Sequence, residues 1–408
     1  MSGKPIYLDN HATTRVDPRV VEAMLPWFTE AYGNAGSVGH GFGDDAHEAV
    51  ERSRSAIAGA IGARPDEIVF TSGATESNNL AIRGVALRKR RRGDHLISVA
   101  TEHRAVLDPL VRLERAGYRI SLLPVQQHGA TDAGWLDPQQ VADAIDDDTC
   151  LVSVMLANNE IGVVQPIAEI APLCRDAGVL LHCDATQAVG KLPVDVEELG
   201  VDLMSFTAHK LYGPKGVGAL FVRGRDPIVR LEAQVTGGGQ ERGRRSGTLN
   251  VPGIVGFATA LELCTTEMPA ERDRQAALRD RLAASLLAEA APAELCGPEL
   301  SATTEAGCPL RLPGNLMIAL GNVDGEAVQL RCPGLAISSG AACSSADPEP
   351  SHVLQALGMT ADQARSSLRF GIGRFTTEED TTTAAGLISV AIRELRGLGE
   401  APPTADGR

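Results

Sequence analysis

Long apolar runs are missing from this 408-residue chain. The longest purely apolar stretches are short, such as Gly178-Val-Leu-Leu181, against the roughly 20 residues that a membrane span needs. The N-terminus, Met1-Ser-Gly-Lys-Pro-Ile-Tyr-Leu-Asp9, reaches charged residues too soon for a signal peptide. A cytoplasmic protein with no membrane partner is expected. An excess of positive charge is also missing. Lysine and arginine number 38 against 52 acidic residues, a formal charge of -14, which argues against general binding to nucleic acid. None of the eight cysteines forms a C-x-x-C pair, so neither a zinc site nor a dithiol redox site is expected. Internal repeats and low-complexity blocks are absent too. What remains is an ordinary globular composition, 43% hydrophobic and 22% charged, in a chain long enough for two domains.

The chain alternates strand and helix patterns, which implies a mostly parallel sheet flanked by helices. Four successive strands end in polar residues. His95 to Val99 leads to His103. Thr149 to Leu156 leads to Asn158 and Asn159. Val179 to Cys183 leads to Asp184 and Gln187. Val201 to Phe206 leads to Thr207, His209 and Lys210. In a parallel α/β sheet, ligands bind at that strand edge. Taken alone, Lys210 reads equally as a surface lysine in a hairpin, and Lys215, between Pro214 and Gly216, reads as a solvated turn residue. A lysine at the last of four polar strand ends is better explained by one site with covalent carbonyl chemistry.

Ile68 to Phe70 is a buried strand pattern followed by Ser72-Gly73 and a helix from Ala74 or Thr75. Free backbone N–H groups at such a turn can hold a phosphate, and no G-K-[S/T] follows to make it a P-loop. Gly33 to Gly43 carries five glycines and reads as a loop, with a helix from Asp44 to Ile61. Gly237 to Asn250 reads as a mobile, basic, glycine-rich loop that either links or binds an anion. Helices are expected over Val251 to Cys264 and over Ala270 to Ala291, with a change of composition that starts a smaller domain near residue 260. Small residues surround Cys343 in Ser338-Ser-Gly-Ala-Ala-Cys-Ser-Ser-Ala346, as suits a nucleophile rather than a core thiol. Arg369 alternates with apolar neighbours on a strand and is a candidate carboxylate fork.

A phosphate turn, an acidic residue, a ring-stacking residue and a reactive lysine together describe binding of pyridoxal 5'-phosphate, with Lys210 holding the aldehyde as a Schiff base and Asp184 keeping the pyridine nitrogen protonated. The stretches Tyr7-Leu-Asp-Asn-His-Ala-Thr-Thr14, Phe70-Thr-Ser-Gly-Ala-Thr-Glu-Ser-Asn78, Thr101-Glu-His103, Ala157-Asn-Asn-Glu-Ile-Gly162, His182-Cys-Asp-Ala-Thr-Gln187, Ala208-His-Lys-Leu-Tyr-Gly-Pro-Lys-Gly216, Arg245-Ser-Gly-Thr248 and the Cys343 loop closely resemble cysteine desulfurases of the NifS/IscS group. The likeness runs in order over essentially the whole chain.

The resemblance implies a pyridoxal phosphate fold of type I. Its large domain, residues 14–260, would hold a mostly parallel seven-stranded sheet. A smaller α+β domain, residues 1–13 and 261–408, would carry the cysteine loop. It implies that Lys210 is the Schiff-base lysine and the base at the substrate Cα, and that His103 stacks on the cofactor ring. Asp184 would pair with the pyridine nitrogen and Gln187 with the ring hydroxyl. Ala74, Thr75, Thr207 and His209 would hold the phosphate. Thr248 would reach the phosphate of a neighbouring subunit, so a homodimer is implied. Asn158 and Arg369 would hold the carboxylate of L-cysteine, with Asn158 also beside the cofactor. Cys343 would take the sulfur as a persulfide and pass it to a sulfur-acceptor protein, such as an iron–sulfur scaffold. Thr207 and Gln240 stand where related chains often carry Ser and His, and Ala35-Gly36 replaces a Pro-containing stretch. Another pyridoxal phosphate enzyme of this fold, a β-lyase or an aminotransferase, is the alternative, and a non-catalytic scaffold is a further one.

Overall fold

The computed structural model of the chain describes residues 5–88, 93–304, 307–340 and 350–399. Cys343 and the rest of 341–349 lie outside the described residues. Among the described residues no helix is long and apolar enough to cross a membrane.

Strand β1 is Ile6–Tyr7. Seven strands then build the main sheet: β2 (Ile68–Thr71), β3 (His95–Val99), β4 (Arg119–Leu123), β5 (Thr149–Ser153), β6 (Leu180–Asp184), β7 (Leu203–Thr207) and β8 (Gly218–Val222). Their order across the sheet is β2-β8-β7-β6-β5-β3-β4. Strand β8 runs antiparallel to both neighbours, and every other pairing is parallel. Strands β2, β3, β5, β6 and β7 therefore all end at the same edge.

The central strands are buried apart from half-buried Leu180 at the start of β6, because helices cover both faces. Alternate residues serve opposite sides. Ile97, Val152, Leu181, Met204 and Phe221 join one core, and Leu96, Leu151, Leu203 and Leu220 another. Each fully buried aliphatic side chain contributes roughly 1.5–3 kcal/mol, so this face pattern fixes the register. Helix α1 (Gly41–Ala60) begins three residues earlier than the glycine content suggests. His40 makes that possible, since its Nδ1 accepts the Gly43 N–H at 3.1 Å and caps the helix. Helix α2 (Ala74–Ala86) follows β2, and α3 (Arg104–Arg115) follows β3.

One helix, α4 (Val251–Glu289), replaces the two expected ones, with Pro269 inside it. Its first half packs into the sheet core through Ile254, Phe257 and Leu261. Its second half packs through Leu278, Leu282 and Leu286 into a separate core that includes Leu8 and helix α5 (Glu378–Gly399). The composition change near 260 thus falls within a continuous helix, and the change of core comes beyond Cys264. The second core holds a small sheet of β9 (Glu294–Leu295), β10 (Asn315–Ala319), β12 (Ser338–Ser339) and β13 (Ser367–Gly371), in the order β12-β13-β10-β9. Strand β11 (Leu335–Ala336) pairs in parallel with β1. The Ser351 N–H donates to the Gly340 carbonyl at 2.8 Å.

Candidate active site

The common edge of the five strands borders a cavity of about 960 Å³. Lys210, Asp184, Gln187, His103, Thr207, His209, Ala74, Thr75 and Arg369 all line it. Lys210 sits in a single 3-10 turn, Ala208–Lys210, directly after β7. Residues 11–14 latch that turn: Thr14 Oγ1 donates to the His209 carbonyl at 2.9 Å and accepts the Tyr212 N–H at 2.8 Å. The Lys210 amine donates only to carbonyls, those of His11 at 2.5 Å and Ala12 at 2.6 Å. Burial first, and then the charge of Arg369, bring this amine down to about 8. Lys215, exposed in the turn beyond, also lines the cavity.

The phosphate turn has the geometry that its residues imply. Gly73, with φ 151°, precedes α2, and this backbone suits glycine alone. A Cβ on Gly218 would meet the Gly73 Cα at 2.7 Å, so Gly218 is required for the close approach of β8 to the turn, as Gly73 is for its backbone. The first-turn N–H groups of α2 open onto the cavity with the positive end of the helix dipole. The Thr207 hydroxyl donates to the Val217 carbonyl at 3.0 Å. His209 Nδ1 lies 3.1 Å from Thr13 Oγ1, and desolvation followed by the Lys210 charge holds its ring at about 4. His209 is therefore a neutral donor rather than a cation.

Asp184 accepts the Asn78 amide at 2.7 Å and the Thr186 N–H at 3.0 Å. His103 caps α3, its Nδ1 accepting the Ala105 N–H at 3.0 Å. Nδ1 is thus the bare nitrogen, and the proton of the neutral ring sits on Nε2. His103 can donate a hydrogen bond from Nε2 but cannot accept one there. Desolvation also lowers its ring, which keeps it neutral. Gln187 is fixed by His11: its amide donates to the His11 carbonyl at 2.9 Å, and its Oε1 lies 3.1 Å from His11 Nδ1. Arg369 reaches in from β13. It donates to Asp9, to Ser338 and to the Asn159 carbonyl at 2.9–3.1 Å. Among the described residues its buried Nε has no partner, so a donor is left for an incoming carboxylate.

Two expected site residues are not brought to the cavity. Asn158 is fully buried. Its amide donates to the Thr101 carbonyl at 2.9 Å and accepts the N–H groups of Glu160 and Ile161. Asn159 takes its place on the wall. The reason is local, since an asparagine that closes its own turn has no donor left over. Thr248 is exposed and outside the cavity.

The glycine-rich loop 237–250 is also anchored rather than loose. Buried Glu241 accepts the Phe70 N–H of edge strand β2 at 2.7 Å and pairs with buried Arg54 at 2.8 Å. Arg245 pairs with Glu76 of α2 at 2.8 Å. Sequence reasoning missed His11 and also Lys191, whose amine donates to Gln187 Oε1 at 2.8 Å. Desolvation and the Lys210 charge bring Lys191 down to about 7. Its spacing of four from Gln187 was the available signal.

These residues fit pyridoxal phosphate. An amine without a carboxylate partner, a helix N-terminus cleared by two glycines, a cavity-facing aspartate and a free arginine donor are the groups that its aldehyde, phosphate and pyridine nitrogen and a substrate carboxylate require. The chain belongs to the aminotransferase class-V family, whose pattern its residues 6–383 match. Within it the chain falls among the pyridoxal phosphate-dependent cysteine desulfurases. It is 53% identical over 395 residues to cysteine desulfurase IscS of Anaeromyxobacter dehalogenans, covering 97% of this chain and 94% of that one. A solved NifS-like protein superposes with a TM-score of 0.86 at 35% identity, over 96% of this chain and all of the other. A structure of SspA in complex with cysteine superposes at 0.75 with 33% identity, over 92% and 100%.

Proposed function

We propose that the chain converts L-cysteine to L-alanine and carries the sulfur away on Cys343 as a persulfide. The observation that supports this best is the cavity itself, which Lys210, Asp184, His103 and Arg369 all line. Pyridoxal phosphate, when bound, supplies an electron sink that makes the substrate's Cα–H and Cβ–S bonds labile. Lys210, Asp184, Gln187, Ala74, Thr75, Thr207 and His209 would hold it. Arg369 receives the substrate carboxylate through its free Nε. The Lys210 amine takes the Cα proton in its free-base form, which grows as pH rises through about 8. The ammonium that Lys210 becomes in that step is the proton source, and His103 donates a hydrogen bond from Nε2. The Cys343 thiolate forms an S–S bond to the substrate sulfur as the Cβ–S bond breaks. The bond pair stays with carbon and ends as a C–H bond of alanine once a proton arrives.

Holoenzyme given L-cysteine and a thiol reductant is expected to release sulfide and alanine in equal amounts. Pyruvate or a keto acid in place of alanine would favour the β-lyase or aminotransferase reading. Arg369→Lys keeps the charge but loses the planar fork. KM for L-cysteine is then expected to rise roughly tenfold to a hundredfold, with kcat less affected. An unchanged KM would remove Arg369 from substrate binding.

A homodimer completes the site in this reading. Val21, Leu25, Phe28, Tyr32, Val38 and Phe42 are all exposed within one N-terminal stretch, Val38 at 90%, an apolar surface suited to a second copy. Thr248, exposed outside its own cavity, is free to reach the partner's phosphate. Light scattering should give twice the chain mass, and a monomer at micromolar concentration would remove this part. The sulfur acceptor is a protein with its own nucleophilic thiol, in iron–sulfur cluster assembly or in a thio-modification pathway.

A further inference from the structure

One buried carboxyl beside the site has no part in the chemistry above. Glu102 follows β3, immediately before His103, and has no solvent exposure. Its Oε1 accepts the Met155 N–H beyond β5 at 2.5 Å. Among the described residues, its buried Oε2 has no partner. Its carbonyl lies 2.8 Å from His352 Nε2, which therefore carries the proton. Thr101 and Asn158 add a second tie between the same two loops, at 2.9 Å. Glu102 thus lies where the His103 loop is stitched to the neighbouring strand end.

We propose that Glu102 is held as an uncharged carboxylic acid and is the positioning residue that sets His103 over the cavity. A buried carboxylate needs several donors to stay ionised. Glu102 takes side-chain hydrogen bonds only from the backbone, whereas Asp184 has the Asn78 amide as well as the Thr186 N–H. Desolvation, and then the charge of Asp184, push the Glu102 carboxyl well above its usual range. The titratable groups around it are Asp184 and Cys183 from β6, His103 on its own loop and His352 from the helix His352–Ala356. Two adjacent buried carboxyls do not both ionise cheaply, and it is Asp184 that opens onto the cavity. As a neutral acid, Glu102 ties down the loop without adding a second charge beneath the ring that His103 covers.

The role given to His103 rests on the pyridoxal phosphate reading, whereas the charge state of Glu102 does not. The test therefore has one arm without cofactor. Infrared spectra of the protein at pH 8 are expected to show a protonated-carboxyl C=O stretch that Glu102→Gln removes. If wild type and Glu102→Gln give the same spectrum in that region, the neutral acid is ruled out. The second arm uses holoenzyme. Glu102→Gln keeps an acceptor for Met155 N–H, so kcat and the dichroism of the cofactor band should stay within about threefold of wild type. Glu102→Ala should bind cofactor but lose at least about half of that dichroism and roughly tenfold in kcat, with KM little changed. Wild-type dichroism and kcat in Glu102→Ala would overturn the positioning role. If Glu102→Ala fails to fold, Glu102→Gln decides: a kcat loss beyond about tenfold in that variant would mean that the charged form is the one used.

Discussion

Replacing Lys210 with alanine is expected to reduce cysteine turnover by about 10³-fold or more and to abolish the cofactor's long-wavelength absorption band. The structure makes this a clean experiment. Among the described residues the amine hydrogen-bonds only to the carbonyls of His11 and Ala12, and Thr14 latches the same turn independently. Truncation therefore removes a reactive group and leaves the fold in place. Lys215→Ala, five residues on, exposed and also lining the cavity, should keep the absorption band. The pH dependence has a definite sign. The ammonium cannot attack an aldehyde or accept a Cα proton, so both functions should rise with pH through about 8, where burial and Arg369 hold the group. An absorbance band that survives in Lys210→Ala, unchanged through a pH titration, would sink the assignment.

Cys343→Ala should separate two halves of the reaction. Sulfur release is expected to fall by about 10²-fold or more, while the cofactor band still responds to added L-cysteine. Cys343 itself lies outside the described residues, but its flanks are informative. Ser339 and Pro350 both line the cavity, and the Gly340 carbonyl accepts the Ser351 N–H at 2.8 Å. Both described flanks of Cys343 therefore sit at the cavity. Full sulfur release from Cys343→Ala would show that the persulfide route is wrong. A band that no longer shifts with cysteine would point instead to lost substrate binding.

Much of this site was legible because its parts lie at strand ends. Strand–helix alternation gives a parallel sheet, and a parallel sheet gathers the ends of its strands. Lys210, Asp184 and His103 followed from that alone. Asn158 did not, since nothing in its codon-by-codon neighbourhood says whether its amide closes a turn or faces a ligand. The anchoring of loop 237–250 was hidden for a different reason. Glu241 and Arg54 are far apart in the chain, and a run of glycines looks loose until its one buried acid finds a partner. Glu102 was invisible as a functional residue because its weight comes from what its second oxygen lacks. The single helix α4 was missed because Pro269 looks like a break, although a proline inside a long helix need only kink it.

That helix has a consequence for how the protein comes apart. Its first half is part of the sheet core and its second half part of the other core, while Leu8, from the opposite end of the chain, belongs to the latter. Neither core can melt without stripping apolar surface from a rod that the other still holds. Calorimetry should accordingly register one cooperative transition rather than two. For the same reason, a fragment cut anywhere between Val251 and Glu289 would leave each piece with half a helix facing water.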